Sequence, residues 1–118
     1  MVLRLAENWA NGSNRFIRPG EIMLGAWSGD VLVGACGRNV DPYDPHPRAG
    51  RVRHLYVAQR ARRDGVGRAL ILAIGEGASE HFDYLNTNAP ETAFAFYERV
   101  GFVRLERGGH ATHRLMLV

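Results

Sequence analysis

The apolar residues of the first third of the chain fall into three patterned segments. From Met1 to about Asn11, four apolar side chains lie roughly on one side of a helical projection, which predicts a helix that ends in the polar stretch 11–14. Residues 21–27 and 31–37 are rich in apolar and β-forming residues and are separated by Ser28-Gly29-Asp30. This spacing predicts two strands joined by a hairpin turn.

The remaining two thirds alternate between strand and helix patterns. A loop with three prolines, 41–48, precedes the β-forming residues 51–57. A helical stripe then runs from Val66 to about Glu80. The later elements are predicted as a strand at 82–87, a helix that begins near Pro90 and stops at Gly101, and strands at 102–106 and 111–118 around the turn Gly108-Gly109.

This order of elements predicts a single α/β domain over residues 1–118. Strands joined through helices pair in parallel, whereas strands joined by hairpins pair antiparallel. We therefore expect a mixed sheet with parallel strands at its centre and helices on both faces. A chain of 118 residues is long enough to build one such core.

Composition adds three expectations. The chain has no apolar run of about 18 residues and no signal-peptide pattern, so we expect neither a membrane span nor secretion. The single cysteine, Cys36, cannot form an internal disulfide and is interpreted as a small buried side chain, which fits a cytoplasmic location. The net charge is +3, and all 15 Lys and Arg positions are arginine, which binds phosphate through paired hydrogen bonds.

Arginines and glycines are concentrated where strand 51–57 leads into the next helix. The segment Arg62-Arg63-Asp64-Gly65-Val66-Gly67-Arg68 surrounds the helix start, where unpaired N–H groups and the positive end of the helix dipole favour an anion. Gly65 and Gly67 let the backbone approach a ligand closely. The pattern predicts a diphosphate site. Leu70 replaces the third glycine of the dinucleotide fingerprint, and the lysine of a P-loop is absent.

Two motifs resemble those of the GNAT superfamily of acetyl-CoA-dependent N-acetyltransferases. Leu55-Tyr56-Val57 followed by Arg62-x-x-Gly65-x-Gly67 is similar to the acetyl-CoA signature, and residues 93–102 are similar to the second motif, A-x-x-x-Y-E-x-x-G-F. The resemblance implies a mostly antiparallel sheet whose central parallel strands splay apart for CoA. It covers about Glu21 to the C-terminus, so the N-terminal strand and helix of the family are expected to be missing.

The resemblance also implies roles for individual residues. Backbone groups of Leu55, Tyr56 and Val57 would hold the pantetheine arm, residues 62–68 would hold the diphosphate, and Asn88 is a further candidate for the arm. Tyr97 occupies the slot of the general acid that protonates the leaving thiolate, the alternative being that it only packs in the core. Acetyl-CoA is the expected co-substrate, without a metal, and the expected acceptor is an amine of a small molecule or peptide.

The motifs define neither the general base nor the acceptor. Arg51 and Arg53 occupy the slots where relatives carry a base, and a guanidinium cannot serve as one. Strand alternation places His54 on the opposite face, while Asp41, Asp44 and His46 of the proline-rich loop stay open as groups that line the acceptor cleft. Arg51 and Arg53 favour an acceptor that bears a carboxylate or phosphate.

Two other readings of the function stay open, and one expectation concerns assembly. One is a GNAT-like domain that binds acetyl-CoA without catalysis. Another is a basic nucleic-acid-binding module, which is disfavoured because 12 acidic residues accompany the arginines and no pattern of stacking aromatic residues is present. A homodimer is expected if a missing N-terminal region leaves an apolar sheet edge uncovered.

Overall fold

One sheet of seven strands organises the protein. The structure is a computed structural model that describes residues 3–7, 18–106 and 109–117. Five neighbouring strand pairs in these residues are antiparallel and one, β4 with β5, is parallel, which confirms the predicted mixed sheet. In the spatial order β1-β2-β3-β4-β5-β7-β6, the strands are β1 Arg4–Glu7, β2 Ile22–Ser28, β3 Val31–Val40, β4 Ala49–Val57, β5 Tyr84–Thr87, β7 His113–Met116 and β6 Val103–Arg104.

The predicted N-terminal helix is wrong for residues 4–7, and its residues 1–2 and 8–11 lie outside the described part of the chain. Residues 4–7 form β1, which pairs with β2 from Arg4 opposite Trp27 to Glu7 opposite Leu24. Leu, Ala and Glu favour helices, but such propensities are weak, and pairing with an existing sheet edge outweighs them.

Two α-helices are present in the described residues, α1 Val66–Gly75 and α2 Phe94–Arg99. Helix α1 ends earlier than predicted because Glu76 is extended and Gly77 has a left-handed φ of 70°, after which Ala78–Glu80 form a 3₁₀ turn. Helix α2 begins later than Pro90, since Glu91–Ala93 form another 3₁₀ turn. Among the described residues, no helix has both the length and the apolar character needed to cross a lipid bilayer.

Both described α-helices pack on the same face of the sheet, so the predicted helices on both faces are not seen among the described residues. A Cβ added to Gly34 of β3 would come within 2.8 Å of Val66 in α1, so the absence of a side chain lets this helix lie close to the sheet. On the same face, Tyr97 of α2 belongs to the buried cluster that contains Leu70 of α1 and Leu85 of β5. Most buried apolar side chains of both helices and of the sheet belong to one continuous cluster.

Strands β4 and β5 pair over only three residues each before they part. The parallel register runs from Ala49 opposite Tyr84 to Arg51 opposite Asn86 and extends no further. Residues 52–57 of β4 therefore have no strand partner on the side that faces β5. This confirms the predicted splay at the centre of the sheet, and it positions the site described next.

Candidate active site

A cavity of about 450 Å³ lies at the N-terminal end of α1, where the sequence predicts a diphosphate site. Gly65 caps the helix with a left-handed φ of 79°, and no side chain caps the first turn. The first N–H groups of α1 are therefore without a side-chain partner. The cavity is lined by four arginines, Arg62, Arg63, Arg68 and Arg99. Fixed guanidinium charges and a helix N-terminus together favour a phosphate group.

Gly65 and Gly67 of the motif lack a side chain for different structural reasons. A Cβ on Gly65 would meet no atom within 4 Å, so the space beside it is open to a ligand, and the positive φ favours glycine. A Cβ on Gly67 would lie 3.2 Å from the ring of Phe96. Gly67 thus allows α2 to approach α1, and this approach closes one side of the cavity.

A second cavity of about 580 Å³ occupies the gap between the parted strands. We call it the gap cavity and the first one the loop cavity. Leu55 of β4 and Pro90, Thr92 and Ala93 of the segment after β5 line it, together with Tyr97. Both cavities are lined by Val57, Arg62, Gly67 and Phe96, so they adjoin each other. A long ligand with an anionic end can therefore extend from the helix start to Tyr97.

Tyr97 is buried at the inner end of the gap cavity with a relative exposure of 5%. Burial raises the pKa of the Tyr97 phenol, and a hydrogen bond with the side chain of Thr87 opposes the rise. The phenol therefore stays protonated at neutral pH and has a proton to donate. Its ring also packs edge-on against Phe96 and Phe102 at 5.2 Å, so Tyr97 has a structural role beside any chemical one.

A β-bulge interrupts β4 beside the gap. Gly37 of β3 pairs with Arg53 and Ala35 pairs with Tyr56, so β4 contains one more residue than β3 between these pairs. His54 takes up the extra residue with a φ of 57°, a left-handed conformation that is uncommon for a non-glycine residue. Strict alternation therefore fails here. His54 borders the same cavity as Arg51 and Arg53, which corrects its predicted separation from them.

A hydrogen-bonded network covers the start of the parallel pair on the face opposite α1. Nδ2 of Asn86 donates to Asp41 at 2.9 Å and to Asp44 at 3.1 Å, and its Oδ1 accepts from Arg114 at 2.8 Å. Tyr84 also donates to Asp44 at 2.8 Å. The hydrogen bonds at Asp44 outweigh the effect of its burial and hold its pKa below the ordinary value. Each member already has a partner, so the network is a rigid wall.

The other predicted site residues are placed as follows. Val66 is buried and lines the loop cavity, and Arg62 donates from Nε to the carbonyl of Val57 at 3.2 Å. Asp64 is exposed and borders neither the loop cavity nor the gap cavity. Tyr56 is 50% exposed and also borders neither of them. Asn88 lines neither the loop cavity nor the gap cavity; it borders the cavity that is lined by Arg51, Arg53 and His54.

Four residues that line the loop cavity were not predicted as site residues: Ala61, Phe96, Arg99 and Val100. Arg99 contributes a fourth guanidinium, and Phe96 forms part of the wall. The signal was present, because residues three apart on a helix share a face and both belong to the second motif. Arg60, two residues before Arg62, is exposed and does not line the cavity. Within the described ranges, no group of three or more His, Cys, Asp or Glu residues could hold a metal ion.

The comparisons with known proteins agree with this geometry. A model of the acetyltransferase (GNAT) domain matches residues 6–114, so the chain belongs to the GNAT acetyltransferase family and is classed as an acyltransferase. No curated protein matches the sequence.

Solved structures show the same fold at low sequence identity. A proposed acetyltransferase from Exiguobacterium sp. 255-15 is 24% identical with a TM-score of 0.84, and the match covers 98% of this chain and 94% of that one. A GNAT-family acetyltransferase from Staphylococcus aureus Mu50 is 14% identical with a TM-score of 0.79, covering 99% and 100%. Nourseothricin acetyltransferase is 22% identical with a TM-score of 0.70, covering 85% and 67%.

Proposed function

We propose that this protein is an N-acetyltransferase that moves the acetyl group of acetyl-CoA to an amine by direct attack on the thioester. The observation that carries the proposal is the adjoining pair of cavities. One end offers arginines and a helix N-terminus to phosphates, and the other end reaches a buried, protonated phenol. A diphosphate joined to a long arm that ends in a reactive group fits this shape.

The residues of this chain fit the co-substrate in three ways. The open space beside Gly65 leaves room for a phosphate against the backbone. The edge of β4 beyond Arg51 has no strand partner towards β5, so its backbone groups are available to the amide groups of the arm. Leu55 and Val57 supply an apolar lining along the same path.

Three services would make up the mechanism. Holding the thioester beside the amine supplies up to about 7–11 kcal/mol of the barrier through proximity. A backbone N–H of Tyr56 or Val57 would stabilise the negative charge that develops on the carbonyl oxygen. As the amine nitrogen bonds to the acetyl carbon and the C–S bond breaks, Oη of Tyr97 would give its proton to the leaving thiolate. The amine loses its own proton to solvent or to a base.

A domain that binds acetyl-CoA without transfer is the second candidate. It is favoured by one observation: no Asp, Glu or His among the described residues lines the gap cavity, so that cavity contains no side chain that could take the proton of the amine. Two measurements separate the candidates. Calorimetry with CoA tests binding, and thiol release from acetyl-CoA with an amine library tests transfer. Binding without release supports the second candidate, and no affinity for CoA contradicts both.

Location and assembly complete the proposal. A single, buried and unpaired thiol, Cys36, is compatible with the cytoplasm. The edge strand β1 carries Arg4 and Glu7, so this edge is not the bare apolar edge that the sequence suggested. Val103 and Met116 near the opposite edge are exposed apolar side chains, and they are the better candidates for a homodimer contact. Light scattering that gives a monomer mass at micromolar concentration contradicts the dimer.

A further inference from the structure

A third cavity, of about 270 Å³, opens on the face of the sheet opposite the helices. It is lined by Tyr43, Arg51, Val52, Arg53, His54 and Asn88. We call it the cationic cavity, because it contains two guanidinium groups and no carboxylate. The donors of the two arginines and of Asn88 point to an anion as the natural occupant.

Arg53 is the accessible cation of this cavity. Its cross-strand neighbour on β3 is Gly37, which has no side chain to cover it. Continuing the parallel register of β4 and β5 would bring Arg53 opposite Asn88, but the strands have parted there and the cavity lies between them. Within the described ranges, neither the side chain of Arg53 nor that of Asn88 has a hydrogen-bond or ion-pair partner. Both groups are free to bind a ligand.

Arg51 holds a second positive charge in the wall. Its side chain is buried, Nη2 donates to the carbonyl of His110 at 2.6 Å, and the guanidinium lies 5.0 Å from the ring centre of Tyr43. Nη1 lies 3.5 Å from Asp41 but forms no hydrogen bond with any described residue. Asp41 also accepts hydrogen bonds from Asn86 and from the backbone N–H of Tyr43, so its charge does not serve Arg51 alone.

His54 contributes a neutral group at neutral pH. Burial and the charge of Arg53 lower the pKa of its imidazole. The positive charge of the cavity therefore belongs to the two arginines.

The cationic cavity and the gap cavity have no lining residue in common, but both lie where β4 and β5 part, on the two faces of the sheet. In β4, His54 of the cationic cavity directly precedes Leu55 of the gap cavity. A small molecule held by an anionic group in the cationic cavity can thus present an amine towards the thioester. A polyamine would instead meet two like charges, which are unfavourable.

We infer that the acceptor amine carries a carboxylate or phosphate group, which Arg53 and Asn88 bind in the cationic cavity. This inference rests on the proposed acetyl transfer and names the substrate class of that site. The contact is charge-assisted and partly shielded from water, so its loss is expected to change affinity by about tenfold or more.

The first test measures binding of a probe anion. Inorganic phosphate and succinate are titrated separately, by calorimetry, into the protein saturated with CoA, so that the loop cavity is already filled. Arg53→Gln is compared with the wild type and with Arg4→Gln. Arg4 lies on β1 over Trp27, and its replacement removes the same charge far from the cavity. We expect Kd for the preferred anion to rise about tenfold in Arg53→Gln and to stay unchanged in Arg4→Gln.

The two anions distinguish the source of the charge, since a preference for phosphate or for succinate indicates a phosphorylated or a carboxylate acceptor. No binding of either anion to the wild type, or equal binding by Arg53→Gln, overturns the inference. An unchanged affinity of Arg53→Gln for CoA shows that this variant is folded. If CoA itself does not bind to the wild type, the proposed function fails separately.

The second test compares acceptors in matched pairs. β-Alanine is paired with its amide and O-phosphoethanolamine with ethanolamine, and acetyl transfer is measured for each. We expect the anionic member of at least one pair to have a kcat/KM about tenfold higher, and this preference to disappear in Arg53→Gln. Equal use of neutral and anionic members, or transfer only to spermidine, contradicts the inference.

Discussion

Nε2 of His113 lies 2.7 Å from Oε2 of Glu98, and this contact ties β7 to α2. His113 is fully buried, its Nδ1 lies 2.9 Å from the hydroxyl of Thr112, and Phe94 packs edge-on at 4.7 Å. Glu98 follows Tyr97 in the chain, so a fixed Glu98 also fixes the rotation of the helix that presents the phenol. The glutamate of the second motif therefore has a structural role in positioning Tyr97.

Glu98→Gln tests this contact through the pH dependence of stability. The hydrogen bond from His113 is the main cause that lowers the pKa of Glu98. A carboxylate with a lowered folded-state pKa stabilises the protein above its unfolded pKa of about 4.3, and this contribution is lost as the pH falls through the folded-state pKa.

We therefore expect Glu98→Gln to be less stable than the wild type in urea at about pH 7, with a difference that shrinks below about pH 4. Glu91→Gln is the control, because Glu91 is exposed and has no described partner. An equal difference between Glu98→Gln and the wild type at both pH values contradicts the assignment.

Tyr97→Phe tests the proposed acid. We expect turnover to fall at least about tenfold while affinity for CoA stays the same, because only the hydroxyl is removed. Tyr84→Phe removes a hydroxyl that binds Asp44 outside the loop and gap cavities, and we expect its turnover to stay within about twofold of the wild type. Unchanged turnover in Tyr97→Phe removes this residue from the mechanism.

The pH profile of transfer gives an independent check on the same residue. The raised pKa of Tyr97 means that loss of its proton inactivates the enzyme only above about pH 10. We expect no decline of kcat that depends on Tyr97 between about pH 7 and pH 10. A decline of kcat near pH 8 in the wild type that is absent from Tyr97→Phe contradicts this prediction.

Two glycines of the same region should respond to alanine in opposite ways. Gly65→Ala places a side chain at a φ of 79° and in the space left for a phosphate, so we expect stability to fall by about 1 kcal/mol and CoA affinity to fall with it. Gly75→Ala adds a methyl group that meets nothing within 4 Å at the end of α1, and we expect a gain of about 0.5 kcal/mol. Thermal unfolding with and without CoA measures both.

Arg38→Met tests how α1 is held at its C-terminal end. Arg38 is buried and donates from Nε to the carbonyl of Gly20 at 2.7 Å and from Nη1 to that of Ile74 at 2.6 Å. Loss of both charge-assisted bonds is expected to destabilise the protein by about 3 kcal/mol in urea unfolding. The exposed Arg60 provides the matched control, and we expect Arg60→Met to stay within about 0.5 kcal/mol of the wild type.

Sequence-based predictions were correct where a residue type has one common structural role. The arginines and Gly65 at the start of α1 predicted both the helix boundary and the loop cavity, because few other features concentrate positive charge at a helix N-terminus. The mixed pairing of the sheet followed from the hairpins and helical connections, whereas the splay was implied by the resemblance to the GNAT superfamily.

The sequence-based predictions were wrong where contacts between distant parts of the chain determine the local structure. Residues 4–7 have helical propensity but pair with β2, and a sequence alone does not show which edge is available. The residue types around His54 do not predict the bulge, because it arises from two residues of β4 lying opposite one residue of β3. Arg53 and His54 therefore could not be assigned to one cavity beforehand.

The burial of Cys36 has a practical consequence for work in solution. Burial raises the pKa of this thiol to about 12, and it is the single cysteine of the chain. Thiol reagents act on thiolates, so the folded protein offers them almost no target at neutral pH. A disulfide dye added during turnover would then measure only the thiol released from acetyl-CoA, without a contribution from the protein. Labelling of Cys36 by the same dye would report unfolding.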